Sequence, residues 1–196
     1  MRQLALILFI AASVSGQTPT GYTPLTSSER WEHYVHKTFL SPGLYFASLG
    51  EAGGLQLSKD PPEWGKGFTG YEKRAVTVYA TYAFQYTVQD ATAAAFGYDP
   101  RYIHCDCKGT GRRLAHVVLW SFLTKNNEGN TRFNAPFIAG AYAGGMLPYL
   151  WYPGRYSPFK DGLRDGNQEL GITVGTNLFR EFAPELRRFF GFRSAP

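Results

Sequence analysis

From Val76 to Val88 the even positions read Val, Val, Ala, Tyr, Phe, Tyr and Val, while the odd positions are mostly Thr and Gln. Taken alone, that alternation matches a strand of the length used in an outer-membrane β-barrel. A helical reading accounts for more residues. It joins Gly70 and Ala75 to the alanine run Ala91 to Ala95, and it stops at Gly97 with Pro100 just beyond. A strand would leave the alanines, which are poor strand formers, without a role. A helix is therefore the expectation here, with a small outer-membrane barrel as the alternative fold.

The flanking patterns agree with helices. Thr26 and Glu29 have capping-box spacing, and Trp31, Tyr34, Val35, Thr38 and Phe39 recur at helical intervals, leaving Glu32, His33, His36 and Lys37 for a solvated face. Ser41-Pro42 ends that helix and starts another, in which Gly43, Ala47, Gly50 and Gly54 form a small-residue face. Asp60 to Gly65 reads as an extended connector whose prolines forbid helix, with Trp64 as a plug against the core. A further helix is expected from Thr110, its cap, to about Lys125, and because Leu114 to Leu123 is apolar nearly all round it is expected to be central. Beyond Asp161 a long segment carries Gly162 and Gly166, then Gly171 and Gly175, each pair four apart. Pro184 is expected to interrupt it before a short amphipathic helix with Arg187 and Arg188 opposite Leu186, Phe189 and Phe190.

The chain is organised around Phe133 to Gly154, which has no Asp, Glu, Lys, Arg or His. Asn134 can cap a helix, Pro136 is tolerated in its first turn, and Gly140 and Gly144 share a face that admits a second backbone. The stretch is long enough to span a bilayer, but its glycines, alanines and tyrosines give little apolar drive and Pro148 and Pro153 break its end, so a buried or peripherally inserted helix is expected.

Composition adds a compartment. Met1 to Gly16 has the basic start, the short apolar stretch and the small residues of a secretory signal peptide, cleaved after Gly16. Residues 17–25 form a Thr/Pro linker, and 26–196 a single helical domain. The net charge of +5 is modest and its Lys and Arg are dispersed, which excludes a nucleic-acid stripe. Membrane lipid or another envelope protein is the expected partner, and no cofactor motif is present.

The chemistry-bearing residues are few. Asp90 on a small-residue face needs a partner if buried, with Arg112, Arg113 and Arg132 as candidates; His116 reads as a hydrogen-bonded core histidine. Cys105 and Cys107 read first as a strained or redox-labile disulfide, then as free thiols, then as metal ligands; no second cluster completes a metal site. Arg112 and Arg113 at a glycine-flanked helix start, with Arg187 and Arg188 near the end, are candidates for an anion or lipid headgroup. Ser48 lacks the first glycine of a nucleophile elbow and is not read as catalytic.

The order ERWEHY, DPPEWGKGFTGYEKR, DPRY, GRRL, WYP and FREFAPELRR resembles an uncharacterised family of exported bacterial proteins, predicted to be helical, with a signal peptide followed by Gln-Thr-Pro. The resemblance implies helix over strand and carries no activity; Cys105 and Cys107 lie outside the shared pattern. The expected molecule is an all-α bundle of about five or six helices with Gly/Ala packing faces, exported and envelope-associated, with a structural or interaction role. The alternative is a periplasmic lipid- or anion-handling protein or enzyme with a pocket around Asp90, His116, Arg112 and Arg113.

Overall fold

Local signals set most of the element ends in the computed structural model, which describes residues 22–189, with side chains up to Leu186. The expected signal peptide lies outside the described residues, as does the linker before Tyr22. The Thr26 hydroxyl accepts from the Glu29 amide, and the Glu29 carboxylate accepts from the Thr26 amide at 2.8 Å. That closes the capping box of α1 (Ser27–Val35), which runs on through a π-helical turn, His36–Leu40. Helix α2 (Pro42–Ser58) starts on Pro42 and ends at Lys59, in the left-handed region at φ 60°. A cis Asp60-Pro61 bond and a 3₁₀ turn, Pro62–Trp64, lead to α3 (Phe68–Phe96), which stops at Gly97, φ 67°. Helix α4 (Thr110–Ser121) is followed by strands β1 (Leu123–Lys125) and β2 (Thr131–Phe133). These form an antiparallel hairpin with Leu123 opposite Phe133. Helix α5 (Ala135–Met146) is extended by a 3₁₀ turn to Leu150, and α6 (Lys160–Phe189) is the longest element.

The fold is thus an all-α bundle, and that one hairpin is the only sheet among the described residues, so the barrel alternative falls. Helix α5 is the centre: it packs on α3 and on α6, while α2 packs on α3 and α4 on α6. The close approaches are made by glycine. A Cβ on Gly140 would lie 2.7 Å from the Gln85 carbonyl oxygen and one on Gly144 2.8 Å from the Gln85 Cβ, so both residues seat α5 on α3. On the other side Gly145 meets the backbone of Gly162 and Gly166. Gly171 and Gly175 do not belong to any such contact: nothing lies within 4 Å of a Cβ at either, because the α5 contact ends one turn earlier on α6.

Three further expectations are corrected. Helix α6 runs through Pro184 without a break. Thr110 is not the cap of α4; Gly109, at φ 95°, takes that place without a side-chain bond. Helix α4 ends at Ser121 and lies at the edge of the bundle, with Leu114, Val118 and Leu119 exposed.

That last correction is part of a wider pattern. Large apolar side chains are exposed on every α-helix except the central α5. Examples are Trp31 on α1, Phe46 and Leu57 on α2, Phe84 on α3, Leu119 on α4 and Phe179 on α6. The interior combines a small apolar core around Leu44, Val78 and Tyr82 with many polar groups. Gln85 and Gln89 of α3 face α5, Asn177 of α6 donates to Ser121 of α4 at 3.0 Å, and Arg74 is fully buried. Helix α1 is turned the same way: Trp31 faces out, while His33 is half-buried and Lys37 points inward to Asp90. Of the face read as solvated, Glu32 and His36 are exposed as expected and His33 and Lys37 are not, while Thr38 from the opposite face is buried.

Candidate functional site

The interior polar groups border two cavities. The larger, of about 960 Å³, lies between α2, α3, α6 and the turn after α5, and four carboxylates line it: Glu51, Asp60, Asp165 and Glu169. Each of the first three accepts from a tyrosine. Tyr82 donates to Glu51 at 2.6 Å, Tyr149 to Asp165 and Tyr156 to Asp60. Burial first, and then these carboxylate neighbours, push the Tyr82 and Tyr149 hydroxyls far above their ordinary pKa, so they act only as hydrogen-bond donors. Among the described residues lining this cavity the only cation is Arg164, and it is tied to Asp165 at 3.2 Å.

Glu169 differs from the other three. It is 7 % exposed, makes no hydrogen bond or ion pair with any described residue, and lines both this cavity and a second one of about 340 Å³. Burial, with Glu51 and Asp165 adding repulsion, pushes its pKa up to about 7. Facing it across the two cavities are Glu51 from α2 and Tyr82 and Tyr86 from α3. Tyr149 follows α5, Arg164, Asp165 and Arg180 lie on its own helix, and Lys37, Arg101 and Tyr102 stand on the far wall.

Between the unfolded value of 4.5 and about 7, the folded chain holds a proton that the unfolded chain has released. The Glu169 contribution to stability therefore falls as pH rises through that window and is level above it. Glu169→Gln removes the slope. Urea unfolding at about pH 8 is expected to show the variant more stable by on the order of 3 kcal/mol at most, and the two proteins equal near pH 4. A wild-type curve that rises with pH across the window, with no gain in the variant, would contradict this.

The residues singled out from the sequence are not gathered at one site. Asp90 pairs with Lys37 at 2.5 Å, not with Arg112, Arg113 or Arg132. His116 sits on α4, its Nε2 2.8 Å from the Ile103 carbonyl and its ring stacked on Trp120. No hydrogen bond, ion pair or cavity joins His116 to Asp90. Arg112 is exposed, whereas Arg113 is engaged by Glu181 and Glu185 and held over the Phe182 ring. The side chains of Arg187 and Arg188 lie outside the described residues. Cys105 and Cys107 are joined by a disulfide with Cα atoms 5.2 Å apart. With His116 they form the only group among the described residues placed to hold a metal ion, ligand atoms within 4.8 Å of one another, but the disulfide leaves no thiolate to bind one.

Beside that disulfide, Glu181, 4 % exposed, collects the Cys105 amide at 3.3 Å, Tyr102 at 3.3 Å, His104 at 3.2 Å and Arg113 at 3.3 Å. Burial alone would raise its pKa; the bonds from Cys105, His104 and Arg113 outweigh that and lower it. It pins the connector before α4 to α6. Glu51, Glu169 and Glu181 escaped the sequence reading, yet α6 carries a signal for two of them. Asp165, Glu169, Thr173, Asn177 and Glu181 recur every four residues, a polar row that winds slowly around the helix. Comparison of the chain with protein-family models, with curated proteins and with solved structures gives no match, so the site is read from its own geometry.

Proposed function

We propose that the protein is an exported, envelope-associated structural or binding protein that lies in the boundary layer of a membrane, with α2 as its principal lipid-facing element. The observation that carries this reading is the inverted distribution of side chains. From Phe39 to Ser58 the chain has a single charged residue, Glu51, bonded to Tyr82, while Leu40, Phe46, Leu49 and Leu57 are exposed, Leu57 to 86 %. Exposed apolar surface of this extent disfavours a purely aqueous setting. Its spread over five of the six helices favours a surrounding apolar phase over one partner patch. No helix among the described residues is long and apolar enough to cross a membrane, so the reading is of a protein lying in the interface. The basic headgroup contacts rest on Arg112 on α4, with Arg187 and Arg188 toward the end of α6; Arg113, engaged by two glutamates, is not one of them.

Membranes from cells expressing the full chain test the proposal. The protein is expected to stay with the pellet through high salt and through alkaline carbonate, and to leave with detergent. Release by salt alone would mean that charge, not apolar contact, holds it, and would overturn the reading.

A further inference from the structure

We infer that the larger cavity is a binding site for a linear organic polycation of the polyamine class, with Glu169 as its central counter-charge. A buried carboxylate is costly unless it is paired; of the four that line the cavity Glu51 is exposed, Asp60 and Asp165 are half-buried, and each of these three accepts from a tyrosine. Glu169 is served by none of the described residues, although it is only 7 % exposed, and it lines both cavities. A ligand that brings positive charge and N–H donors to this point supplies what the fold leaves out.

The spacing of the carboxylates selects the kind of cation. No three of them bring their oxygens within 4.8 Å of one another, since the one such group among the described residues is Cys105, Cys107 and His116. A single inorganic ion therefore has no ready coordination shell here. The charges are instead distributed: Glu51 on α2, Asp60 in the connector, Asp165 and Glu169 one turn apart on α6. Several ammonium groups on a flexible chain match such a distribution. The aromatic walls match the methylene segments and the ammonium faces between them. Tyr149, Tyr152 and Tyr82 line the cavity, and Tyr149 and Tyr152 stand edge to face with centroids 5.3 Å apart. A volume of about 960 Å³ is ample for such a chain. A long monoacid or phosphate ester would instead meet four carboxylates and one already paired guanidinium.

The inference is independent of the membrane reading, because it rests on the unpaired Glu169 carboxylate and the acidic lining between α2, α3 and α6, not on the exposed apolar side chains. The test uses the full chain in a nonionic detergent without lipid, with spermidine as the probe and calorimetry at about pH 8, where Glu169 is ionised. Spermidine is expected to bind with one-to-one stoichiometry, at least tenfold more weakly to Glu169→Gln, and without displacement by an equal concentration of magnesium ion. Circular dichroism of Glu169→Gln, which relieves a burial cost, is expected to match the parent, so weaker binding reports the site. Asp165→Asn is expected to weaken binding in the same direction by a smaller factor. Absence of spermidine binding, equal binding to Glu169→Gln, or full displacement by magnesium would each overturn the inference.

Discussion

Arg74→Met is expected to cost the fold about 4 kcal/mol in urea or thermal unfolding. The Arg74 guanidinium is fully buried and makes no ion pair with any described carboxylate. Its Nε donates to the Asp60 carbonyl at 2.8 Å, Nη1 to the Gln56 side chain at 2.6 Å and to the Gly65 carbonyl at 3.0 Å, and Nη2 to the Pro61 carbonyl at 2.6 Å. One side chain thus closes the whole connector between α2 and α3, and removing it leaves three acceptors without donors, the Pro61 carbonyl keeping the Trp64 amide. Each orphaned buried acceptor costs about 1–3 kcal/mol, while the relieved burial of the charge gives part of that back. Arg74→Lys separates charge from shape. A single ammonium cannot reach acceptors spread around a planar fork, so Lys is expected to recover less than half of the loss. Full recovery by Lys would show that the positive charge alone, not the fork geometry, holds the connector.

Gly145→Ala is expected to cost about 3 kcal/mol or more, the upper range for overpacking. A Cβ there would stand 2.6 Å from the Gly166 nitrogen, 2.7 Å from the Gly162 oxygen and 3.1 Å from the Gly166 Cα. All three neighbours are backbone, so no side chain can swing away, and α5 must part from α6. Gly171→Ala on α6 is the control. Nothing lies within 4 Å of its new methyl group, and alanine is the better helix former by up to about 1 kcal/mol, so stability is expected to hold or rise. Equal losses at both positions would mean that the glycines act through backbone freedom, not through close packing.

The reading of glycine pairs shows what the sequence could and could not tell. Four-residue spacing identified Gly140 with Gly144 and Gly162 with Gly166, which do seat backbones together, but the same spacing at Gly171 and Gly175 marks no contact. Spacing finds a face; only the partner decides whether the face is used. Helix ends were legible for a simpler reason. The capping box at Thr26 and the left-handed stop at Gly97 are local, and they form wherever the flanking chain allows.

The orientation of the helices was not legible by the usual rule. Helix α4, apolar nearly all round, was expected to be central and Trp31 to lie on the inner side of α1, yet Trp31, Leu114, Val118 and Leu119 are exposed. On α3, Arg74, Thr77, Gln85 and Gln89 are buried together with Val78 and Tyr82 while Val76 and Phe84 are exposed, so the inner face mixes polar and apolar positions. A helix-period stripe of Gln, Glu, Asn and Arg is the signal for this polar lining. The acidic cavity was missed on the same account. Asp165, Glu169 and Glu181 were not singled out, and only the packing shows Glu169 and Glu181 to be buried and Asp165 half-buried. The Asp90 partner was missed because Lys37 had been assigned to solvent; burial lowers the Lys37 pKa, and Asp90 opposes that shift.

The measurement that bears most directly on the inverted exterior is flotation of the purified chain with uncharged phosphatidylcholine vesicles in high salt, where charge attraction is screened. The parent protein is predicted to rise with the vesicles, and the double variant Phe46→Glu, Leu57→Glu, whose substitutions lie on the exposed face of α2, to stay at the bottom with its helical content unchanged. A parent chain that remains soluble at the bottom of the gradient, or a variant that floats equally well, would contradict the account.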